Sequence, residues 1–161
     1  MTDNDIKLLN NLLVNVFNTI LKIEDAHLRE SKVGNLSMTE IHTLEAIGQN
    51  RKKTMTEVAN ELMISVGTLT ICIARLVEKG YVVRVKSLED KRIVRISLSE
   101  KGEKILLQHE VFHNKMVQQV VESLGEDETK VLIHSMENLK SFFKKKHEEL
   151  GKDKQDELEY Q

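Results

Sequence analysis

The chain has no tryptophan and no proline, and only 4% of its 161 residues are aromatic. Such a composition, with 31% charged residues, speaks against a sandwich or barrel and for a mainly helical fold. A single cysteine, Cys72, excludes an intramolecular disulfide framework. The N-terminus, MTDNDIKLLNN, lacks the basic start and apolar run of a secretion signal, and no stretch approaches the roughly 20 apolar residues of a membrane span. A soluble, cytoplasmic protein with no membrane partner is expected. Also missing are a glycine-rich phosphate loop, a nucleophile elbow and an HExxH pair, and the scattered carboxylates have lysine neighbours. The sequence therefore predicts no enzyme, no catalytic residue and no cofactor.

What is present is a chain that is 40% hydrophobic, enough for one modest core and short for two. Its net charge of −2 would argue against a nucleic-acid partner, because phosphate binding draws on Lys and Arg. The distribution overturns that argument. Between Arg75 and Lys101 eight basic residues face four acidic ones, an excess of four positive charges, so the remainder carries −6. A concentrated basic segment in an acidic chain is what an electrostatic footprint looks like.

Apolar periodicity places the elements. Ile6, Leu9, Leu13, Val16, Phe17, Ile20 and Ile23 form one helical stripe from about Asp5 to Glu30, broken by Gly34 and Asn35. Ser37-Met38-Thr39-Glu40 has capping-box spacing and opens a helix to about Gln49. Thr54-Met55-Thr56-Glu57 repeats the device, and Ser65-Val66-Gly67-Thr68 opens a further helix, so two capped helices separated by Met63 and Ile64 make a helix-turn-helix candidate. After Gly80 the period changes to two: Val83 and Val85 alternate with Arg84 and Lys86, and Val94, Ile96 and Leu98 with Arg95 and Ser97. The charged loop Ser87–Arg92 between them makes a hairpin, a wing.

Two more helices follow, one capped by Ser99 and carrying Phe112 and Val120, one after Gly125 carrying Leu132 and Phe143. Both need an apolar partner surface that a lone winged helix does not supply, which predicts a homodimer through the terminal helices. The predicted organisation is an N-terminal dimerisation helix over 1–34, a winged helix-turn-helix over 35–100, C-terminal dimerisation helices over 101–147, and a charged tail over 148–161, disordered or an extended helix end.

On a helical wheel Val66, Leu69, Ile73, Leu76 and Val77 share the inner side of the second helix. Thr68, Thr70, Ile71, Ala74 and Arg75 are left outward. An outward face is ordinarily just solvated, but here it carries an exposed isoleucine beside a basic hairpin. Ser65, Thr68, Thr70, Ile71 and Arg75 are the candidates to read or position bases of double-stranded DNA. An apolar residue at 71 favours thymine-rich contacts. Arg92 stands at the hairpin tip, where Asp90 can orient it by a charge-assisted hydrogen bond for the minor groove, with Lys91 and Arg95 on phosphates. Two such recognition helices about one helical turn apart require a pseudo-palindromic operator.

Asp90-Lys91-Arg92 followed by Leu98-Ser99-Glu100-Lys101-Gly102 resembles the D-x-R-x5-L-[ST]-x-x-G wing signature of MarR-family regulators, and Leu76–Val82 resembles the stretch before that wing. Within the family, the runs Leu36–Leu44, Val66–Thr70 and Phe112–Val117 resemble FabT-type repressors of bacterial fatty-acid synthesis. Many MarR relatives carry a polar or basic residue where this chain has Ile71. The FabT-type resemblance implies a corepressor, long-chain acylated acyl carrier protein, whose chain would lie near Phe17, Leu44 and Phe112.

Other effectors stay open. His109 and His113 lie four apart on one helical face, and with His42 and either Glu24 or Glu40 would give a zinc-sensing set such as some MarR relatives use. Another small apolar effector is a further alternative. Cys72 as a redox sensor lacks a second cysteine to resolve it, and a small buried hydrophobe is the simpler role.

Overall fold

The computed structural model describes residues 2–31, 35–86 and 94–159. Within them run six helices and three strands: α1 Asp3–Glu30, α2 Met38–Ile47, β1 Lys53–Thr54, α3 Met55–Glu61, α4 Val66–Glu78, β2 Val82–Lys86, β3 Val94–Leu98, α5 Glu100–Glu122 and α6 Glu126–Glu159. The chain divides into two compact units, 1–106 and 107–161, described separately below. Among the described residues no single helix is long and apolar enough to cross a membrane.

In the first unit the local chemistry fixes the helix starts. Ser37 Oγ accepts from the Glu40 amide at 3.3 Å while Glu40 Oε2 accepts from the Ser37 amide at 2.8 Å, a reciprocal box that satisfies two orphan donors of α2. Thr54 and Glu57 do the same for α3, and Thr2 with Asp5 for α1. Ser65 caps α4 by accepting from the Thr68 amide at 3.1 Å. The chain direction changes by 108° between α3 and α4. Met63 takes a left-handed φ of 54° in that turn, an uncommon conformation for a side chain of its size. Gly80, at φ 79°, closes α4, where a left-handed residue costs a glycine nothing.

The sheet is antiparallel in the order β1-β3-β2. Val82 pairs with Leu98, Arg84 with Ile96 and Val85 with Arg95, and on the other edge of β3 Lys53 pairs with Ile96 and Thr54 with Arg95. Two corrections follow. The polar run before Thr54 ends in a strand, so the wing sheet has three strands rather than two. In β2 the core residue is Val82, and Val83 is exposed. The alternation Val83/Val85 does not mark the buried face: Val85 is half-buried, while Arg84, two residues from the buried Val82, is exposed.

The core of this unit joins α2, α3, α4, the sheet and the start of α5: Ile41, Leu44, Ile47, Val58, Leu69, Ile73, Leu76, Ile96 and Leu106 are all buried. Each fully buried aliphatic side chain contributes roughly 1.5–3 kcal/mol. Val66 and Val77, placed on the inner side of α4 by the wheel, lie exposed at its margins.

A second set of bonds ties α5 to the corner between α4 and β2. Ser99 donates its amide to the Tyr81 carbonyl at 2.9 Å and its hydroxyl to the Gly80 carbonyl at 2.7 Å. The same hydroxyl oxygen accepts from the Gly102 amide at 3.1 Å, and Lys101 reaches the Lys79 carbonyl at 2.9 Å across the Tyr81 ring. Gly102 sits so close that a Cβ there would lie 2.2 Å from the Tyr81 carbonyl oxygen. The serine and glycine of Leu98-Ser99-Glu100-Lys101-Gly102 are thus a cap and a close-packing site that set where α5 leaves the wing.

Lys79, the C-cap of α4, reaches back to the start of α2. Its ammonium donates to Glu40 at 2.8 Å and to the Asn35 carbonyl. Burial disfavours the charged form of Glu40, but the bonds from Lys79 and Ser37 overcome it and hold the carboxyl below the ordinary glutamate range. This pair links the first turn of α2 to the end of α4. On the other side of the core, Lys53 bonds the Ala46 carbonyl and Glu61, joining α2, β1 and α3.

The second unit, the later part of α5 with α6, is held locally by one-turn contacts such as Lys130 with Glu126 at 2.7 Å. Gly125 donates its amide to Glu128 at 2.8 Å at the start of α6. The helical backbone continues to Glu159.

Candidate nucleic-acid interface

The outward side of α4 begins at its capped N-terminus. Ser65, Thr68, Thr70, Ile71 and Arg75 are all exposed, whereas Leu69, Ile73 and Leu76 on the opposite side are fully buried. The structure therefore gathers these five sequence candidates on one accessible surface. Three of their hydroxyls are already engaged. The hydroxyls of Ser65 and Thr68 are 2.8 Å apart, and Thr70 donates to the Val66 carbonyl at 2.7 Å. The periodicity gave no hint of this, although a threonine four residues after a helical carbonyl commonly bonds back to it. What Thr70 turns outward is a methyl and an acceptor, beside Ile71 at 59% exposed.

Of the wing candidates, Asp90, Lys91 and Arg92 lie outside the described residues. Arg95, expected on a phosphate, donates to the Lys52 carbonyl at 3.3 Å and so helps hold β1 against β3. Its charge, together with that of Lys53, also favours the ionised form of Glu57, although the Thr54 cap bonds are the main reason that carboxyl lies below its usual range. Arg84, an alternating polar residue of β2 that is not among the expected DNA contacts, is exposed on the same hairpin.

The effector candidates fall in both units. Phe17 is half-exposed on α1, and Leu44 is enclosed in the core of the first unit. Phe112 lies in the second unit on α5, where its ring meets His113 edge-on at 5.4 Å. For the metal candidates, His42 Nε2 lies 3.5 Å from a carboxylate oxygen of the buried Glu24 in the first unit. In the second, the Nε2 atoms of His109 and His113 are 3.0 Å apart. Cys72 is partly buried against the core, its sulfur 3.3 Å from the Thr43 hydroxyl, which fits the small-hydrophobe role.

The sequence pattern of the MarR family matches residues 36–94, from the start of α2 to β3. Among solved structures, Streptococcus pneumoniae FabT in complex with DNA is similar at a TM-score of 0.82 and 35% identity, covering 87% of this chain and 98% of that one. A mutant MarR from E. coli complexed with operator DNA is similar at a TM-score of 0.67 and 26% identity, covering 84% and 96%. By sequence, the uncharacterized HTH-type transcriptional regulator YpoP of Bacillus subtilis is 39% identical over 71 residues, 44% of this chain and 50% of its own length. The HTH-type regulator PchR of the same organism is 26% identical over 108 residues, 65% and 64%. The matches thus span about half to two thirds of these two curated relatives. With the capped helix-turn-helix, the three-stranded wing sheet and the Ser99–Gly102 corner all in place, the chain belongs to the MarR family.

Proposed function

We propose that the chain is a sequence-specific, DNA-binding transcriptional repressor, not an enzyme, acting in the cytoplasm as a homodimer on a pseudo-palindromic operator. The observation that carries this reading is the exposed outer face of α4, held by a capped helix-turn-helix beside a basic hairpin. Two similar structures are complexes with DNA. Thr68, Thr70, Ile71 and Arg75 read bases in the major groove, with Ser65 fixing the start of the helix. Arg92, oriented by Asp90, enters the minor groove, and Lys91 meets phosphate. Arg95 acts partly through the β1 edge it holds. Replacing Arg92 by alanine abolishes tight binding and leaves folding intact; unchanged operator affinity in that variant would remove the wing from the interface.

Dimerisation is supported by the apolar residues that the single chain leaves exposed: Ile6, Leu9, Val16 and Phe17 on α1, Val120 on α5, and Val131, Met136, Phe142 and Phe143 on α6. Exposure of this extent along long helices marks a partner surface, here a second copy.

The resemblance to FabT-type repressors carries the reading further. The regulated genes are those of fatty-acid synthesis, and long-chain acylated acyl carrier protein raises DNA affinity by favouring one spacing of the two recognition helices. Phe17 and Phe112 are the candidates to meet the acyl chain, and Leu44 acts by shaping the core of α2. The test is an anisotropy titration of an AT-rich pseudo-palindromic promoter fragment from fatty-acid-synthesis genes, with and without the acylated carrier. Tighter binding with the acylated carrier and none with the unacylated form is expected; an unchanged affinity would refute the corepressor.

A second effector reading is favoured by one observation. His109 and His113 present two ring nitrogens together on one face of α5, as zinc ligands one helical turn apart do. Zinc and chelator arms of the same titration decide it, since only a zinc sensor responds to them.

A further inference from the structure

We infer that the middle of α4 recognises thymine through its 5-methyl group, with Ile71 as the contact residue and Gly67 as the residue that lets the helix backbone sit close to the bases. The inference rests on α4 being the groove-reading helix, and it states how that helix reads.

Ile71 is 59% exposed while Leu69 and Ile73, on either side of it in sequence, are fully buried. Ile71 is not among the described residues packed on the core, so most of its side chain is free to meet a partner. Gly67, one turn earlier, shares its face. A Cβ at Gly67 would meet nothing nearer than Ser65 Oγ at 3.8 Å, and the residue has ordinary helical geometry. Gly67 is the second residue of α4, where glycine brings no capping or turn advantage, and neither space nor backbone conformation demands it. Gly102 makes the contrast: there a Cβ collides with Tyr81, and the fold itself explains the glycine. What Gly67 permits is a close approach from the outward side.

The polar neighbours of Ile71 narrow what can be approached. The single donor of the Thr70 hydroxyl is committed to the Val66 carbonyl, and the Thr68 hydroxyl is paired with Ser65. Ala74 continues the face without a polar atom. In the major groove guanine, cytosine and adenine present only donors and acceptors at their edges, and thymine alone adds a methyl group. An isoleucine set against the other edges would strip water from them and return no hydrogen bond. Against the thymine methyl it gains apolar contact worth about fourfold in affinity, and about fifteenfold when one methyl in each half-site contributes.

Deoxyuridine provides the test, because it pairs as thymidine does and lacks only the methyl. The full chain first selects duplexes from a random-sequence pool, and each thymidine of the best duplex is then replaced in turn by deoxyuridine, symmetrically in the two half-sites. Wild-type affinity should fall about fifteenfold at one or two positions. Ile71→Ala should bind the thymidine duplex as weakly as wild type binds the deoxyuridine one, and should show no further loss on replacement. Gly67→Ala should leave the thermal midpoint unchanged or raised and lower affinity about tenfold or more. Equal affinity for thymidine and deoxyuridine duplexes at every position, or a methyl dependence that persists in Ile71→Ala, would overturn the proposal. If Ile71→Ala changes the selected sequence without any deoxyuridine effect, α4 still reads DNA and methyl recognition alone is wrong. If neither substitution alters affinity or the selected sequence, α4 is not the reading helix and both readings fail.

Discussion

Replacing Gly102 by alanine puts a methyl carbon 2.2 Å from the Tyr81 carbonyl oxygen and 3.4 Å from Leu98 Cβ. An ordinary carbon–oxygen contact lies near 3.3 Å, so α5 and the β2 entry must separate by about 1 Å. The obstructing atom is backbone, and no rotamer change relieves it. That separation strains the bonds joining these elements: Ser99 to Tyr81 at 2.9 Å, Ser99 to Gly80 at 2.7 Å and Lys101 to Lys79 at 2.9 Å. Overpacking costs about 1–3 kcal/mol and each weakened hydrogen bond up to about 1 kcal/mol, while alanine returns about 1 kcal/mol of helix propensity. The expected loss is therefore about 2–3 kcal/mol. Urea unfolding at one fixed protein concentration, needed because a dimer's stability depends on concentration, should show a midpoint lower by about 1 M. A midpoint within about 0.3 M of wild type would refute the close-packing account of this glycine.

Two further outcomes are expected. Glu40→Gln removes a carboxylate that Lys79 and Ser37 hold below the ordinary value of 4.5, and so a contribution that is complete above that pH and lost as pH falls through the lower folded value. The stability difference between wild type and variant, roughly 1–3 kcal/mol at pH 7, should shrink below pH 4.5 in urea titrations run at several pH values; a difference independent of pH would contradict the ion pair. Leu44→Ala, at a fully buried position, should cost about 2–5 kcal/mol by urea unfolding, and a cost below about 1 kcal/mol would show that the site is not close-packed.

The features legible in the sequence are those whose cause is local. The boxes at Ser37/Glu40 and Thr54/Glu57 announce helix starts because donor and acceptor are three residues apart, and all the bonds they imply are made. The Leu69, Ile73 and Leu76 side of α4 follows from the helical period. Where partners are distant in sequence the pattern was silent. β1 is two residues, Lys53 and Thr54, and exists only because β3 pairs with it more than forty residues later. The Glu40–Lys79 link spans 39 residues. The choice between Val82 and Val83 as the buried member of β2 is one of register, which an all-valine stretch broken only by Arg84 does not encode by itself. Of the candidate site, the exposed face of α4 could be read from periodicity, but not the loss of the Thr70 hydroxyl to its own helix.

The central claim is sequence-specific DNA binding through α4 and the wing. It is tested most directly by titrating the purified chain against its selected pseudo-palindromic duplex and a scrambled duplex of equal composition, over a range of salt concentrations. Saturation at two chains per duplex, an affinity for the selected duplex at least about a thousandfold above the scrambled one, and binding that weakens with salt are expected. Equal affinity for both duplexes, or none for either, would contradict that claim.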